Sequence, residues 1–319
     1  MAFRITFGTP LDAEFRRIAA EQLDKAFAEL SGSGDRHEAI HDVRKRFKKL
    51  RALFRLLRSG DSNLLRAENA RLRDAARALS AVRDRTALLE SLEALEQHFA
   101  DDVATDAFAP VRAELERRRE AAVEAEGDLG ETIARTLATI EDSRTALGEA
   151  SFSKPLKRAP LIVAEGVHHT QRAARRALGE AALNGEAEAF HDLRKHAKDH
   201  AAHLGLLADL WPDAFRVARE VAAGIGDSLG LDHDYAILRA EMAGDAGAFG
   251  TEADRAVVLG LMDRRQGALR ATSLSTARRL FAESPKAAAA RIERLVRDAA
   301  KAARSPEETA LPFEAGLSA

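Results

Sequence analysis

The stretch "EAIHDVRKRFKKLRALFRLL", Glu38 to Leu57, returns at an offset of 150 residues as "EAFHDLRKHAKDHAAHLGLL", Glu188 to Leu207. His41 falls on His191, Arg44 on Arg194, Lys45 on Lys195 and Lys48 on Lys198. At the same offset "LSAVRDRTALL" (Leu79 to Leu89) overlays "LGLDHDYAIL" (Leu229 to Leu238), which places Asp84 on Asp234. Farther on, "ELERRREAA" resembles "LMDRRQGAL", with Arg117 and Arg118 close to Arg264 and Arg265. Self-similarity at a fixed offset is the mark of a duplicated unit. The pattern predicts two helical repeats, residues 11–150 and 151–303, joined near Gly148 to Pro160, with an N-terminal extension over 1–10 and a mobile tail over 304–319.

Composition supports helix throughout. Ala, Arg, Leu and Glu dominate, Gly and Pro are sparse, and aromatic residues amount to 5% of 319 residues, so an all-α fold is expected. Gly, Pro, Ser and Asn punctuate the chain at "SGSGD" (31–35), "SGDSN" (59–63), "SKP" (153–155), "NGE" (184–186) and "WPD" (211–213). Between these stops the periodicity predicts helices over 11–31, 36–58, 62–98, 107–126, 130–148, 160–182, 187–209, 213–243, 252–272 and 286–303. With no cysteine, disulfides and thiolate metal sites are excluded. The first residues, "MAFRITFGTP", lack a signal-peptide core, and no apolar run reaches a membrane span, so a soluble cytoplasmic protein is expected.

Viewed down the axis, the 36–58 helix has two unlike faces. Val43, Phe47, Leu50, Phe54 and Leu57 recur at spacings of three and four and form a core stripe. His41, Arg44, Lys48, Arg51, Arg55 and Arg58 occupy a separate arc, with Lys45 at its edge, and no acid shares it. From His41 to Arg55 the row is about 21 Å long at the helical rise. A charge run is ordinarily a solvated face, but such faces mix signs so that neighbouring pairs offset repulsion; a single-sign row costs stability unless something anionic compensates it. The second copy keeps His191, Arg194, Lys195 and Lys198 and then drops the pattern at Ala201 and Gly205. In "VHHTQRAARRAL", His168, Arg172, Arg175 and Arg176 make a further basic strip.

Forked and point-like cations suit phosphate oxygens. Nucleic acid is disfavoured as the partner: the aromatics of the basic helix lie on its core side, the chain has one Trp and one Tyr, and its pI is near 6.6. A linear polyanion without bases fits better.

The two His-x-x-Arg-Lys-x-x-Lys segments, together with "LSAVRDRTALL" and "LGLDHDYAIL", resemble the halves of a CHAD domain, the conserved histidine α-helical domain, over nearly the whole chain. The resemblance implies two pseudo-symmetric four-helix bundles around a basic central pore or groove, binding of inorganic polyphosphate, and location on polyphosphate granules. It assigns phosphate contacts to His41, Arg44, Lys45, Lys48, Arg51, Arg55, His191, Arg194, Lys195 and Lys198. The chain departs from the pattern after Lys198, where "DHAAHLGLL" carries no further basic row, so a weaker grip by the second half is expected. The Glu-x-Glu-x-Lys signature of the triphosphate-tunnel domain that often accompanies CHAD is absent from the sequence.

Three rival readings stand beside this one. His196, His200 and His203 have spacing that can align imidazoles for a metal, yet His200 sits at the core angle and no carboxylate completes the set; no cofactor or metal ligand is expected. Asp84 and Asp234 suggest a paired-carboxylate phosphohydrolase, but no Gly-rich phosphate loop or nucleophile motif accompanies them, and no catalytic residue is assigned. A helical scaffold for protein partners is the third.

Overall fold

The computed structural model describes residues 3–79, 81–103, 105–124, 129–152 and 155–304. Among them run eleven α-helices and no strand. In chain order these are α1 (Leu11–Ser31), α2 (Arg36–Leu56), α3 (Ser62–Ala78), α4 (Ala81–His98), α5 (Ala109–Glu124), α6 (Leu129–Gly148), α7 (Pro155–Asn184), α8 (Ala187–Leu206), α9 (Pro212–Gly244), α10 (Glu252–Leu280) and α11 (Pro285–Ala302).

The punctuation acts where the sequence places it. Asp35 caps α2 by accepting the His37 and Glu38 N–H groups, Asp61 caps α3 through the Leu64 N–H, and Pro212 starts α9 after Trp211. Gly185 turns the chain between α7 and α8 at φ 66°, a conformation that suits glycine.

Three boundaries differ from expectation. The stretch read as one helix over 62–98 is two. α3 closes at Leu79, and Arg44 of α2 donates to the Ala76 carbonyl at 3.1 Å, so the stop is a tertiary contact with no Gly or Pro to announce it. α7 starts at Pro155, with Pro160 inside its second turn. α10 continues past 272 to Leu280, keeping Ser273 and Ala277 buried on its inner face.

The expected stripe of α2 is the heart of the largest core: Val43, Phe47, Leu50, Phe54 and Leu57 are all fully buried, each contributing roughly 1.5–3 kcal/mol by burial. Around them pack side chains of α1, α3, α6, α7, α8 and α11. The packing crosses the expected join near 150. A second core unites Leu88, Leu92, Phe108 and Leu115 of the first half with Tyr235, Leu238, Val258 and Met262 of the second, and a third lies between α7, α8, α9 and α10. The N-terminal extension is tied in: Ile5 is buried and its N–H donates to the Leu206 carbonyl at 2.9 Å. Of the expected tail, residues 305–319 lie outside the described residues.

Two close approaches hold the centre. α2 and α8 cross in opposite directions, with His203 Nε2 donating to the Ala52 carbonyl at 3.0 Å and Arg55 reaching Asp199 at 2.5 Å. Beside them α7 meets the end of α2 so tightly that a Cβ on Gly166 would lie 1.9 Å from the Leu56 carbonyl oxygen. Only glycine permits that contact.

Candidate functional site

The basic arc of α2 lies against α3. Arg51 Nε and Arg55 Nη1 share the Asn69 amide oxygen at 3.2 and 3.3 Å, and Arg44 reaches the far end of α3 at Ala76. The two helices therefore run antiparallel with guanidiniums between them. Burial, and then the charge of Arg55, push Arg51 below the usual guanidinium range. That is the electrostatic cost of crowding like charges.

The acid missing from the arc comes from elsewhere in the chain. Asp199, 144 residues beyond Arg55, supplies its carboxylate from α8. Lys45, at the edge of the arc, pairs instead with Asp42 one turn back at 3.0 Å, and Lys48 is exposed.

Sequence reasoning missed the contribution of α3. Arg66, Asn69, Arg73 and Arg77 recur at spacings of three and four on that helix, and the structure turns this face to α2. Arg66 and Asn69 line a pocket of about 170 Å³ with Phe54, Arg55, Arg58, Ser62 and Leu65, while Arg73 acts electrostatically on Arg51. The spacing was a readable signal, hidden because the acids Glu68 and Asp74 are interspersed with it on neighbouring faces.

Beyond the pocket, Arg58 neighbours His169 of α7, whose pKa is pushed down by burial and then by the Arg58 charge. The α7 strip divides there. His168 is half-buried and Arg172 exposed, whereas Arg175 Nη1 donates to the Phe281 and Ala282 carbonyls at 2.6 and 2.9 Å and so closes the end of α10. Arg176 is exposed beside Glu180.

The second histidine segment has other surroundings. His191 stacks on His233 of α9 with ring centroids 4.2 Å apart, and its Nδ1 is buried without a hydrogen-bond partner. Burial first, then the facing His233, depress the His191 pKa, and burial followed by Arg194 does the same to His233. Arg194 lies beneath Gly230, where a Cβ would sit 3.2 Å from its Nη2. Lys195 pairs with Asp192 at 2.9 Å and Lys198 with Asp227 at 3.3 Å.

A cavity of about 270 Å³ brings Arg194 and Lys198 together with three carboxylates, Glu90, Asp227 and Asp234. Asp234 thus faces cations, and the side chain of Asp84 lies outside those described. Where Gly205 replaces an arginine of the first segment, Arg219 of α9 lays its guanidinium over the gap, 3.6 Å from a Cβ built there. The cation has moved from one helix to its neighbour, a substitution the offset comparison did not reveal.

The three histidines considered for a metal part ways. His203 is buried between Ala52 and Thr170, His200 packs edge-on to Phe281, and His196 lies near Asp199 and Lys195. Among the described residues no cluster of three or more His, Asp or Glu side chains is placed to hold a metal.

Comparison with known proteins agrees with this architecture. No curated protein matches the chain. Among solved structures, PptA from Streptomyces chartreusis superposes with a TM-score of 0.57 over 86% of this chain and 98% of that one, at 16% identity, a likeness of fold. The family model for the CHAD domain matches residues 17–243, which span both histidine segments and the crossing of α2 with α8, and the chain belongs to the CHAD domain family.

Proposed function

We propose that the protein binds inorganic polyphosphate along the groove between α2 and α3, with a weaker continuation across the α2–α8 crossing through Arg219, Lys198 and Arg194. In this reading the two histidine segments are duplicated half-sites, His41 and His191 lie at their outer ends, and the protein captures its ligand without transforming it. Association with polyphosphate granules in the cytoplasm is the corresponding location. No helix among the described residues is long and apolar enough to cross a membrane.

The observation that carries the reading is a charge imbalance. Arg51, Arg55, Arg58 and Arg66 lie together on the facing sides of α2 and α3, and the carboxylate hydrogen-bonded to them among the described residues is Asp199 alone. Such crowding costs stability in the free protein and is relieved by a multivalent anion. Membership of the CHAD family supports the same ligand class. Bases would find no stacking platform here, since Phe47 and Phe54 are buried and Tyr235 is sealed in the second core.

The test is a salt series with long-chain polyphosphate, run beside single-stranded RNA and tripolyphosphate. About eight phosphate contacts at roughly 0.7 counterions each predict a log–log slope near −5 to −6. Long chains should bind tighter than short ones, because neighbouring units raise the local concentration at the remaining cations. A flat salt response, or RNA binding as tightly, would remove the proposal in favour of a helical scaffold.

A further inference from the structure

The groove between α2 and α3 runs at one end to the turn that joins the two helices. The two helices are joined by the turn over 57–61, held by the Gly60 N–H on the Leu57 carbonyl at 2.9 Å, and the arginine pocket of about 170 Å³ lies against that turn. Its floor is Phe54 and Leu65, both fully buried. A chain lying in the groove reaches this pocket where the two helices are joined.

Its walls carry Arg55, Arg58 and Arg66, with the Ser62 hydroxyl and the Asn69 amide, and no acid. Among the described residues Arg58 and Arg66 make no hydrogen bond or ion pair, whereas Arg55 is engaged by Asn69 and Asp199. The nearby carboxylate of Asp61 is occupied with the Leu64 N–H. The pocket therefore presents the unmet guanidinium donors of Arg58 and Arg66.

We infer that this pocket holds the terminal phosphate of a polyphosphate chain. The inference rests on the polyphosphate reading and adds a direction to it: the chain lies with one end against the hairpin and the rest toward Arg44. Each interior unit carries one charge, whereas a terminal phosphate has a second ionisation near pH 6 and so approaches two charges at neutral pH. Two unpaired guanidiniums, Arg58 and Arg66, beside that of Arg55 match the doubly charged end of the chain better than its singly charged middle. Forked donors also suit the three unshared oxygens that only a terminal unit possesses.

The experiment compares a short linear polyphosphate with the same chain capped at both ends as neutral-tailed phosphoramidates, which keeps its length and removes the second terminal charge. Wild-type protein should bind the free chain about tenfold tighter than the capped one at pH 7.5, with the difference shrinking as the pH falls below 6. In Arg58→Ala/Arg66→Ala the preference should disappear, while helical circular dichroism and melting temperature stay unchanged and long-chain binding persists at reduced affinity. Equal binding of free and capped chains by the wild type overturns the inference and leaves the polyphosphate reading intact. The same holds if the capping penalty survives in the double variant. Failure of every chain length to bind the wild type would instead overturn the polyphosphate reading itself.

Discussion

Asp199 occupies the position an anionic ligand would take on Arg55. Its carboxylate stands 2.5 Å from Arg55 Nη2, and both side chains are partly buried. The pair contributes about 1–2 kcal/mol to the free fold, between exposed and buried ion pairs, but it also cancels one positive charge of the groove. In Asp199→Asn the amide keeps a hydrogen bond to Arg55 and gives up the charge. Polyphosphate affinity should then rise several-fold at low salt, with a steeper salt slope by about 0.7, while the melting temperature falls. Unchanged or weaker binding by a folded variant would show that Arg55 does not contact the ligand. At this scale the sequence was legible wherever partners lie within one helix. The alternation of Val43, Phe47 and Leu50 with Arg44, Lys48 and Arg51 states both faces of α2. Asp199 was not legible, because its proximity to Arg55 depends on how two distant helices cross.

The crossing of α2 and α8 turns on His203. The Ala52 carbonyl can only accept, so His203 Nε2 carries the proton and Nδ1 faces the Thr170 hydroxyl at 3.2 Å as an acceptor. Burial holds this ring neutral and pushes its pKa down to about 4, against the pull of Asp199. Its unfolded value is near 6.5. Between those values the unfolded chain binds the extra proton, so this histidine's contribution is intact above about pH 6.5 and is lost as the pH falls toward 4. Replacing it by Gln, which can still donate to Ala52, should lessen the pH dependence of unfolding free energy between pH 5 and 6 by up to about 1.4 kcal/mol per pH unit. Denaturant melts at closely spaced pH values measure this, and superimposable slopes would show that His203 titrates normally. Helix identity was readable from period and punctuation, as the caps at Asp35 and Asp61 illustrate. The break after α3 was not, since its terminal carbonyl is met by Arg44 from another helix.

In the whole molecule, likeness along the sequence does not carry over into likeness of charge. The all-helical fold followed from composition and the repeat, but the core shared by α4, α5, α9 and α10 could not be seen in either half alone, because its apolar faces are complementary only across the join. The same holds for the candidate site. Lys48 and Lys198 are matched at the offset of 150, and both are exposed. At the position of Asp227, which stands 3.3 Å from Lys198 Nζ, the first half carries Arg77. Glu90 and Asp234 line the same cavity as Lys198, whereas the pocket at the α2–α3 hairpin is lined by Arg55, Arg58 and Arg66. A polyanion should therefore be held mainly along the α2–α3 groove that Lys48 borders, and only loosely at Lys198, where three carboxylates stand. Charge reversal makes the comparison direct. Lys48→Glu should weaken long-chain polyphosphate binding about tenfold or more at low salt, and Lys198→Glu by less than about threefold. Neither side chain faces the core, so both variants should keep the wild-type helical spectrum. Equal losses at the two positions would mean that the ligand engages both halves alike, in which case Asp227 must give up Lys198 when the chain arrives, and the asymmetric grip proposed here would be wrong.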